Sequence, residues 1–125
     1  MNWTVEIVEK KNYFKIILEG EFNVGDHLHM IEDVISRQIW TAGMNVLLDS
    51  RKVDYSKTDA GIMKQAGENM SKFDAQIGEG KAAILMGSLP SFGKGRQFEL
   101  MTEEKVSANV SVFLDETRAL KWLSV

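Results

Sequence analysis

The amino-acid sequence predicts an α/β fold: a mixed sheet that opens with an N-terminal antiparallel hairpin and continues through successive β-α units with right-handed crossovers. Three observations carry this. Trp3, Val5 and Ile7 alternate with Thr4, Glu6 and Val8, and beyond Lys10-Lys11-Asn12 the residues Phe14, Ile16 and Leu18 alternate with Lys15 and Glu19, the period of two paired strands. Residues 44–49 (Met-Asn-Val-Leu-Leu-Asp) and 82–86 (Ala-Ala-Ile-Leu-Met) are short runs suited to adjacent inner strands of a parallel sheet. Around these runs, apolar residues recur at intervals of three and four, which places them on helices.

In the first helical stretch, Leu28, Ile31, Val34, Ile35 and Ile39 form the stripe, with Asn23 as N-cap, Asp26 in the first turn and Gly43 placed to end the helix. After Asp49 a polar loop, residues 50–61, runs into a second helix bearing Ile62, Ala66, Met70, Phe73 and Ile77, capped by Ser56 or Thr58. Gly61 and Gly67 each cost about 1 kcal/mol against Ala inside a helix, so a close neighbour is expected there, either the sheet or another molecule. Residues 78–80 close that helix. Residues 87–96 read as a Gly-rich loop and 98–101 as a short helix, followed by an edge strand carrying Ala108, Val110, Val112 and Leu114. Asp115 caps a last helix that buries Ala119, Leu120 and Leu123, with Trp122 beside them.

The 125 residues fit one domain able to bury a core without staples. A formal charge of -3, with no Lys/Arg cluster interleaved with aromatics, argues against nucleic acid as a partner. The absence of Cys excludes disulfides, thiolate metal sites and thiol nucleophiles. No segment has the pattern of a signal peptide, and none approaches the ~20 apolar residues that span a bilayer; a cytoplasmic protein, not an integral membrane one, is expected.

Few residues suggest chemistry. His27 and His29 face different ways on a helix; His29 with Asp33 has the one-turn spacing of a metal pair, although solvated polar positions are the plainer reading of both histidines. The loop from Gly87 to Arg96 follows a strand, but five residues separate Gly87 from Gly93 and Gly95 follows Lys94, so it lacks the spacing and the hydroxyl of a nucleotide-binding loop. A looser anion site remains from Ser88, Ser91, Lys94 and Arg96. Asp49 ends an inner strand, where α/β sites gather, yet no spacing joins it to Asp54, Asp59 or His29. No cofactor or metal is indicated.

Two stretches resemble a known family: the central strand with its following loop, residues 46–61, and Val110-Ser-Val-Phe113-Leu-Asp-Glu-Thr-Arg-Ala119-Leu-Lys-Trp122-Leu123. Together they look like the SpoIIAA-like group of STAS and Sec14-related domains of bacteria. The resemblance implies a small sheet wound by β-α units, and relatives that either bind protein partners through the loop before the second helix or enclose apolar ligands. In the anti-sigma-factor antagonists that loop is Asp-Ser-Ser-Gly-Leu-Gly with a phosphorylated serine. Here Asp54-Tyr55-Ser56-Lys57-Thr58-Asp59-Ala60-Gly61 lacks the Asp-Ser pair and the second glycine. The expected function is therefore a non-enzymatic binding or regulatory module using Asp54, Tyr55, Ser56, Thr58 and Asp59, with an unidentified protein partner. The alternative is a carrier of a small apolar, lipid-like molecule, suggested by seven Met residues with Trp40 and Trp122; an enzyme ranks third. A homodimer is expected, because helices gathered on one face leave the other to the hairpin or to a second chain.

Overall fold

The computed structural model describes residues 1–124. The elements in order are β1 (Asn2–Val8), β2 (Tyr13–Glu21), α1 (Val24–Ser36), β3 (Asn45–Asp54), α2 (Ala60–Lys72), α3 (Asp74–Ile77), β4 (Lys81–Leu85), α4 (Leu89–Thr102), β5 (Asn109–Phe113) and α5 (Glu116–Leu123). The strands form one sheet in the order β1-β2-β3-β4-β5, with β1 antiparallel to β2 and the remaining pairs parallel. The predicted inner strands at 44–49 and 82–86 are thus adjacent and parallel, pairing Val46 with Ala82 and Leu48 with Ile84.

Alternation along the strands divides the core in two. Phe14, Ile16, Leu18, Ile84 and Val112 face α1, α2 and α4, which supply Met30, Ile31, Val34, Met63, Ala66, Met70 and Phe98. On the opposite face Tyr13, Leu47, Ala83 and Leu85 pack against Ala119 and Leu123 of α5. The face expected to meet the hairpin or a second chain is therefore covered over β3 and β4 by the last helix. The hairpin lies instead in the plane of the sheet, as its edge.

Four boundaries differ from the sequence reading. First, α1 ends at Ser36 and not near Gly43, leaving Ile39 49% exposed; its buried stripe is His27, Met30, Ile31 and Val34. Second, β3 runs on through Asp54, because Lys52, Val53 and Asp54 pair with Glu19, Gly20 and Glu21 beyond an irregularity in β2. The polar residues read as loop belong to a strand end held by backbone pairing to β2. Third, the second helix breaks at Phe73 into α2 and α3. Fourth, the Gly-rich segment is helical from Leu89: Ser88 accepts from the Ser91 N–H as N-cap and Pro90 occupies the first turn, where its missing N–H costs nothing. Gly95 explains the composition, since a Cβ there would lie 2.8 Å from Met86 Cε and 2.9 Å from Val112 Cγ1, so only glycine lets α4 sit this close to the sheet. Gly67 likewise faces α4, its missing Cβ 3.5 Å from Thr102 Cγ2, so the expected close neighbour of the second helix is intramolecular.

Candidate functional site

The predicted binding loop spends its side chains on itself. The Asp54 carboxylate accepts the Ser56 N–H at 2.9 Å and the Ser56 hydroxyl, which hold it below the usual carboxylate range. Tyr55 is buried, stacks on Phe22 with centroids 5.2 Å apart and meets the Ser50 hydroxyl; burial pushes its phenol up to about 12. Thr58 is buried, and the α2 N-cap is Asp59, which accepts the Ile62 N–H at 2.8 Å, so neither Ser56 nor Thr58 caps the helix as expected. Asp59→Ala is expected to lower stability by about 1 kcal/mol. Thr58→Asp should cost more, because it buries a carboxylate, while Ser56→Asp should change little; urea denaturation of the three variants checks this order.

The four anion-site candidates do not converge. Ser88 caps α4 and its hydroxyl donates to Ser91 Oγ at 3.0 Å. Lys94 Nζ donates to the Tyr55 carbonyl oxygen, tying α4 to the loop before α2, and Arg96 pairs with Glu99 at 2.6 Å. Asp49 is likewise committed: Arg51 grips it at 2.7 and 2.9 Å and, with the Arg51 N–H, holds the carboxyl below its ordinary range. Arg51 and Lys15 both reach Glu116, so this network joins β2 and β3 to α5. Asp33, proposed beside His29, accepts from Trp3 Nε1 at 2.9 Å and from Arg37 at 3.1 Å.

What the structure does bring together is an apolar cleft. Between the sheet and the helices α1, α2 and α3 lies a cavity of about 90 Å³, floored by Ile16, Val46, Leu48, Ala82, Ile84 and Val110 and walled by Met30, Val34, Ile35, Met70 and Ile77. A second cavity of about 40 Å³ adjoins it toward Phe22 and Tyr55, sharing His27, Met30, Leu48, Ile84 and Phe98 as walls. Leu48, packed against the core on the central strand, also borders this space and is only half-buried. Trp40 stands at the outer end of the cleft, edge-on to Phe14 with centroids 5.2 Å apart, and its indole N–H donates to the Gln76 carbonyl at 2.8 Å. The Gly43 N–H donates to the Ile77 carbonyl at 2.8 Å, and the two bonds tie the α1–β3 connection to α3.

His27 overturns its sequence assignment as a solvated residue. It is 9% exposed, sits between the Phe22 and Phe98 rings, and borders both cavities. Its Nδ1 lies 3.3 Å from Asn69 Nδ2, which also donates to the Val24 carbonyl at 3.0 Å. Burial lowers the imidazole pKa to about 4, so the ring is neutral at physiological pH. One signal was present: position 27 shares a helical stripe with Met30, Ile31 and Val34. Its partner on a distant helix left none.

No protein-family model and no curated protein matches the chain. Among solved structures it resembles an uncharacterized protein from the DUF3478 family with a SpoIIAA-like fold, from Shewanella loihica PV-4, at a TM-score of 0.61 and 15% identity over 98% of this chain and 92% of that one. The protein has a SpoIIAA-like fold, as its two resembling stretches implied. No helix among the described residues is long and apolar enough to cross a membrane.

Proposed function

We propose that the protein is a non-enzymatic binding module that takes a small apolar molecule in the cleft between the sheet and α1, α2 and α3. The observation that carries this is the cleft itself: a void of about 90 Å³ among aliphatic, Met and aromatic side chains, with His27 as its one ionisable lining group. Interiors normally pack without such space, and an apolar cavity of ~150 Å³ stays dry and binds benzene-sized molecules. The combined cavities approach that scale. They suit a single ring or a short branched chain, while a lipid-sized molecule would have to project past Trp40. Met30 and Met70 supply adaptable walls. The alternative, a protein partner held by the loop before α2, draws less support because Asp54, Tyr55, Ser56 and Asp59 already have partners within the protein and Thr58 is buried.

The test is a cumene titration followed by methyl NMR, with native mass spectrometry of freshly purified protein to look for a retained adduct. Shifts are expected at Val46, Leu48 and Ile84, and Ala82→Phe, which fills the cleft floor, should weaken binding at least tenfold, a loss of about 1.4 kcal/mol. Cleft methyls that stay unmoved at saturating cumene would rule the reading out.

A further inference from the structure

We infer that the cleft selects an apolar molecule carrying a neutral hydrogen-bond acceptor, such as a carbonyl oxygen, which the Nε2–H of His27 binds. The inference rests on the proposed function and adds the ligand's polar group to it. It follows from a chain of donors and acceptors. The Val24 carbonyl can only accept, so the Asn69 group 3.0 Å from it is the amide nitrogen, and the amide orientation is fixed. That nitrogen also lies 3.3 Å from His27 Nδ1 and carries only hydrogens to offer. Nδ1 is therefore the acceptor, and a neutral ring must carry its proton on Nε2.

Among the described residues Nε2 has no hydrogen-bond partner. Among the described residues no fully enclosed side-chain nitrogen or oxygen lacks one, so this atom borders open space. On a ring 9% exposed that lines both cavities, the space is the cleft. Burial lowers the imidazole pKa to about 4, which keeps the group a neutral donor, unable to neutralise an anion brought beside it. A buried donor aimed into apolar space is costly to leave unpaired, and a site built around one discriminates against analogues that lack the acceptor. The Phe22 and Phe98 rings flanking His27 fix the direction in which the bond is offered.

Acetophenone, cumene and benzoate are close in shape and differ as neutral acceptor, no acceptor and anion. Titrated into the 125-residue protein at pH 7 and followed by methyl and imidazole ¹⁵N NMR, acetophenone is expected to bind about tenfold more tightly than cumene and to shift the His27 Nε2 resonance, with benzoate weaker than both. In His27→Phe the preference for acetophenone over cumene should vanish while cumene binding persists; if that variant does not fold, the wild-type affinity ratio and the Nε2 shift decide alone. Equal affinities for acetophenone and cumene, or an Nδ1–H tautomer, overturn the inference and leave the apolar cleft standing. Benzoate binding most tightly overturns it in favour of an acid. Failure of all three to bind overturns it together with the proposed function.

Discussion

Replacing Phe14 with alanine is expected to lower the free energy of unfolding by about 3–5 kcal/mol, the range for deleting a large buried aromatic. Phe14 is fully buried and lies on β2, which joins the antiparallel hairpin to the parallel sheet, pairing with Ile7 on one side and Val46 on the other. Its ring meets Trp40 edge-on at 5.2 Å, an arrangement worth about 0.5–1.5 kcal/mol beyond the area buried. The hole would open beside an existing cavity, so the surroundings have little material with which to collapse into it, and a cost toward the upper end of the range follows. Domains of this size are stable by only about 5–15 kcal/mol, so the variant should be close to unfolding at 37 °C. Urea denaturation gives the answer as a reduced midpoint at unchanged slope. A midpoint shift worth less than about 1 kcal/mol would mean that the ring is not packed as described.

The parts of this molecule legible in the sequence are those in which one local pattern has one structural solution. Val46, Leu47 and Leu48 in sequence, and Ala82 through Met86, are apolar with no regard to period, and only strands between two packed layers use such runs. The elements that differ from their sequence pattern are those in which a distant contact overrides local preference. Pro90, Gly93 and Gly95 spell a loop, yet they lie in a helix capped by Ser88, where Gly95 is required because Met86 and Val112 leave no room for a side chain. Arg51, Lys52 and Asp54 look like a solvated loop, but their strand is made by backbone pairing to β2, which is blind to side-chain polarity. The cleft was the least legible feature. Its residues come from β2, β3, β4, β5 and four helices, each apolar position reads individually as core, and a void has no signature in a sequence. His27 reads as solvated because a polar residue on a helix usually is; its burial depends on Asn69, 42 positions away, which supplies the hydrogen bond that makes a buried imidazole tolerable.

That burial sets a pH dependence whose sign is unambiguous. In the unfolded chain His27 titrates near its ordinary value of 6.5, whereas in the folded protein desolvation lowers it to about 4. Between those values the unfolded state holds more protons on this residue than the folded state, so stability rises with pH across the window and is lost as pH falls through it. Above 6.5 both states are neutral and the effect disappears. At 1.36 kcal/mol per pKa unit the full loss on acidification is about 3 kcal/mol, an order-of-magnitude figure. The carboxylates act in a different range: Asp33, Asp49 and Asp54 are held below their ordinary value of 3.8, so their contributions are intact above it and decline only at still lower pH. A fall in stability between pH 6.5 and 4 therefore belongs to His27, and His27→Phe should flatten the profile there while leaving the steeper acid limb in place. Urea denaturation at half-unit pH steps measures the slope, and the His27 ring-proton shift gives the folded pKa directly. A ring that titrates near 6.5 in the folded protein, or a wild-type stability constant from pH 7 to 4.5, would show that the imidazole is solvated and that its Nε2 does not face the apolar cleft.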